Sequence, residues 1–200
     1  MFNSNDIFIS IAGNDRLFHL CFNLELYNSF SFRDNLYISV VYNGEYNLNE
    51  LLSINNLSYD NLVMSRENKR LHGGALKTIN VSLKKFIESD KSIGVIHNFD
   101  FLFFYEEPFK MMITDLLKTG KSFFGWLGKK THPFEKAVYE TDCFVITKEF
   151  AKRLYPINPE KDKPIFYRSA LHIDSGDEKG VEIMEEWLFR RLVNVIMPKD

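Results

Sequence analysis

The chain has 200 residues, of which 45% are hydrophobic and 15% aromatic, and this is enough to bury the core of one compact domain. Its formal net charge of -2 provides no basic field that would attract nucleic acid. The apolar runs have the length of strands, and the first residues lack the basic and apolar regions of a signal peptide. We therefore expect a single domain, residues 1–200, with no transmembrane segment and no nucleic-acid partner.

Strand and helix patterns alternate through the first hundred residues. Hydrophobic spacing and turn residues predict strands at 7–11, 36–41, 61–64, 92–96, 122–127, 143–147 and 165–172. They predict helices at 17–26, 48–54, 73–88, 106–120, 148–154 and 178–195. Such alternation favours right-handed βαβ units. We expect an α/β fold with a mixed, mostly parallel sheet flanked by helices, Rossmann-like in its N-terminal half.

The two cysteines, Cys21 and Cys143, lie in apolar segments and indicate free thiols in a reducing compartment.

A polar cluster, His97 to Asp100, follows the strand predicted at 92–96. Ligands of open α/β sheets bind where strands end. Asn98 and Asp100 are two residues apart, so an extended backbone would direct both to one side, and His97 adds either a third ligand or a hydrogen-bond donor. Carboxylate oxygens suit Mg²⁺ and Mn²⁺, which bind through few protein ligands together with phosphate oxygens. The cluster predicts a Mn²⁺ or Mg²⁺ site formed by Asp100, Asn98 and His97, with a plain turn as the alternative.

The helix predicted at 73–88 begins with two glycines, which allow the backbone to approach a sugar or a phosphate closely. Basic residues just before it would complement a diphosphate. Asn80 lies on the apolar stripe of this helix, either as a satisfied core amide or as a group that reaches the nucleotide. The residues expected to contact a bound nucleotide are Ala12, Gly13, Asn14, Asn43, Arg70, His72, Gly73, Asn80 and Asn98.

Three carboxylates are candidates for a general base that deprotonates an acceptor hydroxyl. Glu185 and Glu186 flank the apolar stripe of the last predicted helix, beside Trp187. Asp142 precedes the strand predicted at 143–147. Paired acids on a helix are more often surface residues, so a solvent-exposed face is the alternative for Glu185 and Glu186.

Two familiar phosphate-binding motifs are excluded. Gly120-Lys121-Ser122 is not the end of a P-loop, because Asp115 stands where the first glycine is required and the segment leads from a helix to a strand. The first predicted strand ends in Ala12-Gly13-Asn14, which does not continue as G-x-G-x-x-G.

HGGALKTIN (72–80) and IGVIHNFD (93–100) resemble the glycine-containing turn, the Asn-bearing helix, the strand and the D-x-D-like motif of GT-A-type nucleotide-sugar glycosyltransferases. Asn98-Phe99-Asp100 takes the D-x-D place with Asn for the first Asp, and Asp100 keeps the position that usually binds the metal. TDCFVITKEF (141–150) looks like the acceptor-side strand and helix. MEEWLFRRL (184–192) is similar to the acidic helix that supplies the base in inverting members.

This resemblance implies a GT-A-like fold in which residues 1–104 bind the nucleotide sugar and 105–200 form the acceptor side. The implied activity is transfer of a sugar from a nucleotide-diphosphate sugar to a hydroxyl of a glycan, protein or lipid, with Mn²⁺ or Mg²⁺ on the diphosphate. The chain is short for the class, similar to small forms in some archaeal viruses and bacteria, so we expect it in the cytoplasm, or in the host cytoplasm if it is viral. The alternatives are a nucleotidyltransferase, which would consume a nucleoside triphosphate, and a non-catalytic α/β interaction module.

Overall fold

The computed structural model describes residues 6–13, 16–54, 56–65, 72–128 and 138–157. The strands in these ranges are β1 (Ile7–Gly13), β2 (Tyr37–Tyr42), β3 (Asn61–Met64), β4 (Ile93–Asn98), β5 (Phe123–Gly128) and β6 (Val138–Thr147). The α-helices are α1 (Leu17–Ser29), α2 (Leu48–Ile54), α3 (His72–Glu88), α4 (Glu106–Thr119) and α5 (Lys148–Leu154). The strand predicted at 165–172 and the helix predicted at 178–195 lie outside the described residues. Within the described ranges, no helix has the length and hydrophobicity needed to cross a membrane.

The six strands form one sheet in the order β3-β2-β1-β4-β6-β5. The pairs β1–β2, β1–β4 and β2–β3 are parallel, whereas β6 runs antiparallel to both β4 and β5. This confirms the predicted α/β class with a mixed, mostly parallel sheet. From β1 to β3, each new strand is added on the same side of the preceding one, whereas β4 pairs with the other side of β1. The strand order therefore reverses between β1 and β4.

Helices cover both faces of the sheet. One apolar cluster lies between the sheet and α1, α2 and α4, and another lies between the sheet and α3 and α5. Ile9 and Ile11 of β1 belong to the first cluster and Phe8 to the second, as expected from side chains that alternate between the faces of a strand. Because α1 and α3 lie on opposite faces, the carboxyl ends of β1 and β4 meet at the topological switch point where open α/β sheets bind ligands.

Both ends of α4 have residues that stabilise helix termini. Glu106 and Glu107 occupy the first turn, where acidic side chains complement the helix dipole. Gly120 ends the helix at φ 63°, a left-handed conformation that glycine adopts without strain, and its N–H donates to the Leu117 carbonyl.

Both cysteines are free thiols, Cys143 buried and Cys21 half-buried.

Asn80 joins α3 to the segment after α5. Its Oδ1 accepts the N–H of Ile157 at 2.9 Å, and its Nδ2 donates to the Ile157 carbonyl at 2.9 Å. Ile157 is buried, so these backbone groups need a partner inside the protein. Of the two alternatives that the sequence left open for Asn80, the hydrogen bonds favour the core amide over the nucleotide contact.

Asn80→Ala should lower the free energy of unfolding by about 1–3 kcal/mol, because two buried backbone groups of Ile157 would lose their partner. Urea denaturation followed by circular dichroism measures this cost. Lys84→Ala, at an exposed position of the same helix, is the matched control and should stay within about 0.5 kcal/mol of the wild type. Equal costs for the two variants would contradict the role of Asn80 as a clamp.

Candidate functional site

The ends of β1, β2 and β4 bring several predicted site residues together. Ala12 of β1 pairs with Asn98 of β4, and the N–H of Phe99 donates to the Ala12 carbonyl at 3.0 Å. The N–H of Asn43, which follows β2, donates to the Gly13 carbonyl at 2.9 Å. The predicted residues that lie along this edge, at the reversal of strand order, are Ala12, Gly13, Asn43, Asn98 and Asp100.

The chain turns at Phe99 and Asp100, directly after β4. The N–H of Phe101 donates to the Asn98 carbonyl at 3.2 Å, which closes the turn. Phe99 is buried, whereas Asp100 is exposed. The backbone is therefore not extended through Asp100 as expected, because Asn98 ends the strand and Asp100 lies in the turn.

The Phe99 ring explains the glycine at position 13. A Cβ on Gly13 would lie 2.6 Å from the Phe99 ring, closer than atoms can approach. The Phe99 ring also stacks on the ring of Tyr42. The two rings are parallel within 4°, and their centroids are 6.4 Å apart. Gly13 thus seats the aromatic side chain of the turn that carries Asp100.

Helix α1 holds the same turn through two side chains that the sequence analysis did not select. Asn23 donates from Nδ2 to the Phe99 carbonyl at 2.6 Å. The Tyr27 hydroxyl lies 2.8 Å from Nε2 of His97. Asn23 and Tyr27 are four residues apart and share one face of the helix. The available signal was an amide on the buried face of a largely apolar helix, beside a tyrosine one turn later.

His97 lies beneath the turn and is only 1% exposed. Its Nδ1 lies 2.9 Å from the Asn98 carbonyl, which only accepts, so Nδ1 carries the proton and Nε2 accepts from Tyr27. Burial lowers the pKa of His97 to about 4 and raises that of Tyr27, so the ring is neutral and the hydroxyl stays protonated at pH 7. Because both ring nitrogens are used inside the protein, His97 supports the turn instead of offering a ligand to a metal.

Asp100 is the accessible member of the predicted metal cluster. Its carboxylate pairs with Arg16, the residue before α1. The Asp100 side chain is 37% exposed and the Arg16 side chain 61%. Asn98, two residues before Asp100 in the sequence, is half-buried. In the part of the chain that the structure describes, no group of three or more His, Cys, Asp or Glu side chains could hold a metal on its own. One carboxylate and one amide suit a cation such as Mn²⁺ or Mg²⁺ that takes most of its ligands from phosphate and water.

Of the other predicted site residues, some lie in described helices or strands and the rest lie outside the described ranges. His72 and Gly73 form the start of α3, which follows β3 and so begins near the carboxyl edge of the sheet. The backbone of Asp142 belongs to β6, one residue before Cys143, which pairs with His97. The predicted site residues outside the described ranges are Asn14, Arg70, Glu185 and Glu186.

Comparison with known proteins gives no match to a family model and none to a curated protein. Solved structures do match. The mannosyltransferase PcManGT from Pyrobaculum calidifontis, in complex with GDP-Man and Mn²⁺, aligns with a TM-score of 0.58 and 14% identity over 75% of this chain and 46% of that chain. A cytidylyltransferase from Leptospira borgpetersenii serovar Hardjo-bovis (strain JB197) aligns with a TM-score of 0.45 and 14% identity, over 88% of this chain and 72% of that chain.

The alignment with the mannosyltransferase concerns the fold. At 14% identity it shows that the chain has a GT-A-like fold, as the sequence resemblance implied. The chain spans about half the length of that enzyme, 46% of it.

Gly13→Ala should lower the free energy of unfolding by about 1–3 kcal/mol, because the added methyl group overlaps the Phe99 ring. Phe99→Leu removes ring atoms from the contact, so the double variant should lose less than the sum of the two single costs. Urea denaturation of the three variants and the wild type completes the cycle. Strictly additive costs would show that Gly13 and Phe99 do not constrain each other.

The pKa of His97 predicts a pH dependence of stability. In the folded protein this pKa is lowered from 6.5 to about 4, so between these values unfolded chains bind a proton that folded chains do not. The free energy of unfolding should therefore rise with pH across this window, by an amount on the order of 3 kcal/mol. His97→Gln should show a flatter profile in urea denaturation at pH 4 to 6.5. Identical slopes would contradict a buried, neutral His97.

Proposed function

We propose that the chain is a metal-dependent glycosyltransferase that moves a sugar from a nucleotide-diphosphate sugar to a hydroxyl acceptor. The observation that carries this proposal is an accessible carboxylate, Asp100, on a braced turn at the topological switch point of a GT-A-like sheet. Ligands of open α/β sheets bind in the crevice at this point. The fold shared with a mannosyltransferase whose structure contains GDP-Man and Mn²⁺ supports the same class of donor.

Asp100 and Asn98 would hold a divalent cation against the diphosphate of the donor. When bound, such a cation stabilises the negative charge that develops on the leaving diphosphate. Arg16, which pairs with Asp100 in the structure, would neutralise phosphate oxygens of a donor bound next to this carboxylate. The start of α3 at the same edge would add backbone N–H groups, which favour phosphate at a helix N-terminus.

The acceptor side of the proposal concerns the general base. An inverting enzyme needs a carboxylate to take the proton of the acceptor hydroxyl, whereas a retaining enzyme does not need this base. Asp142 is a candidate because its backbone lies beside the end of β4 through the pairing of Cys143 with His97. Glu185 and Glu186 remain candidates from the sequence. The acceptor is a hydroxyl of a glycan, a protein or a lipid.

Asp100→Asn should weaken Mn²⁺-dependent nucleotide binding by more than about tenfold, because it removes the charged metal ligand while keeping the size of the side chain. Isothermal titration calorimetry with GDP, UDP and CDP, with and without Mn²⁺, measures the effect and identifies the base. Asp115→Asn, which removes the same charge from an exposed position of α4, is the control and should bind like the wild type.

The outcomes separate the proposal from its alternatives. Unchanged Mn²⁺-dependent binding by Asp100→Asn would contradict the role of this carboxylate. A folded wild type that binds none of the nucleotides would favour a non-catalytic module. Release of pyrophosphate from a nucleoside triphosphate and a sugar phosphate would favour a nucleotidyltransferase, since a glycosyltransferase releases a nucleoside diphosphate.

A further inference from the structure

We propose that Asn23 of α1 is a positioning residue that sets the orientation of the Asp100 carboxylate for metal binding. The inference rests on the proposed function, because it assigns Asn23 to the same site. Asn23 hydrogen-bonds to the carbonyl of Phe99, which lies 76 positions later in the sequence.

The bond falls on the peptide unit that leads into Asp100. Asn23 is fully buried, and its Nδ2 donates at 2.6 Å to the Phe99 carbonyl and at 3.2 Å to the His19 carbonyl of its own helix. The Phe99 carbonyl and the Cα of Asp100 belong to one planar peptide unit. Fixing this carbonyl therefore fixes the plane from which the Asp100 side chain departs.

Asn23 makes this bond with one end of its amide unsatisfied. In the described part of the chain, its Oδ1 is buried and has no hydrogen-bond partner. A buried acceptor without a partner costs stability, and asparagine is a weaker helix former than leucine. Asn80 is the contrasting case, because both ends of its amide bond to Ile157. Packing alone would favour an apolar residue at position 23, so the bond to the turn is the feature that accounts for the amide.

The remaining contacts leave the turn little freedom except at Asp100. The Phe99 ring packs against Gly13 and Tyr42 on the β1–β2 side. Below it, Tyr27 holds His97 at the end of β4. Hydrogen-bonded partners that orient a metal ligand commonly change metal affinity by about 10–100-fold when they are removed. Asn23 acts on the peptide unit that leads into the ligand, not on the ligand itself, and we expect an effect of the same kind.

Asn23→Ala and Asn80→Ala make a matched pair, since each removes one amide that bonds to a distant backbone. Calorimetric titration of Mn²⁺ in the presence of GDP should show affinity at least about tenfold weaker for Asn23→Ala and within about twofold of the wild type for Asn80→Ala. Urea denaturation should show the opposite order, with the lower midpoint for Asn80→Ala, because that amide satisfies two backbone groups. General destabilisation cannot produce this crossed pattern.

A second variant keeps the test valid if Asn23→Ala folds poorly. Asn23→Leu restores the buried volume without the donor, so it should fold at least as stably as Asn23→Ala and still bind Mn²⁺ with GDP weakly. In metal-free protein, NMR should show shifted backbone amide signals for residues 98–101 in both Asn23 variants and unshifted signals there in Asn80→Ala.

Each result decides the inference. A folded wild type that binds no Mn²⁺ with GDP would overturn the proposed function and the positioning role together. Wild-type affinity in the Asn23 variants, or equal weakening in Asn80→Ala, would overturn the positioning role while the proposed function stands.

Discussion

The packing of the Phe99 ring against Gly13 and Tyr42 is the contact on which the candidate site depends. It joins the carboxyl ends of three adjacent strands, β2, β1 and β4, through one side chain. Since the ring is buried, the next residue, Asp100, is turned outward at the switch point of the sheet. An apolar contact thus places the Asp100 carboxylate at this edge, and the hydrogen bonds from Asn23 and Tyr27 of α1 hold the turn that carries it.

Local patterns in the sequence were sufficient to predict most of the described helices and strands. Helix α2 and strand β3 begin and end as predicted, and the longer β4 includes His97 and Asn98 because the ladder with β1 continues to Asn98. The strand β6 begins five residues before its prediction, where it pairs with β5. Such extensions depend on a neighbouring strand, and hydrophobic periodicity within one segment contains no information about that neighbour.

The candidate site was predictable in part, for a related reason. A strand that ends in a polar cluster drew attention to Asp100, whose role as a metal ligand stays a prediction. The partners of His97 and Asn80 lie 70 and 77 residues away in the sequence, so the pattern of each segment could not assign their roles. His97 was expected either to bind a metal or to donate a hydrogen bond, and its buried ring bonds to Tyr27 and to the Asn98 carbonyl.

Binding at the carboxyl edge of the sheet can be distinguished directly from binding elsewhere. A cavity of about 310 Å³ lies at the opposite edge, where Tyr37 and Asn61 begin their strands and Asp90 follows α3. The most direct measurement is the paramagnetic broadening of backbone amide signals in the NMR spectrum when Mn²⁺ and GDP are added. Binding of the cation by Asp100 predicts broadening at Gly13 and Asp100, with sharp signals at the three residues of the opposite edge. Broadening at that opposite edge, or none at Gly13 and Asp100, would contradict it.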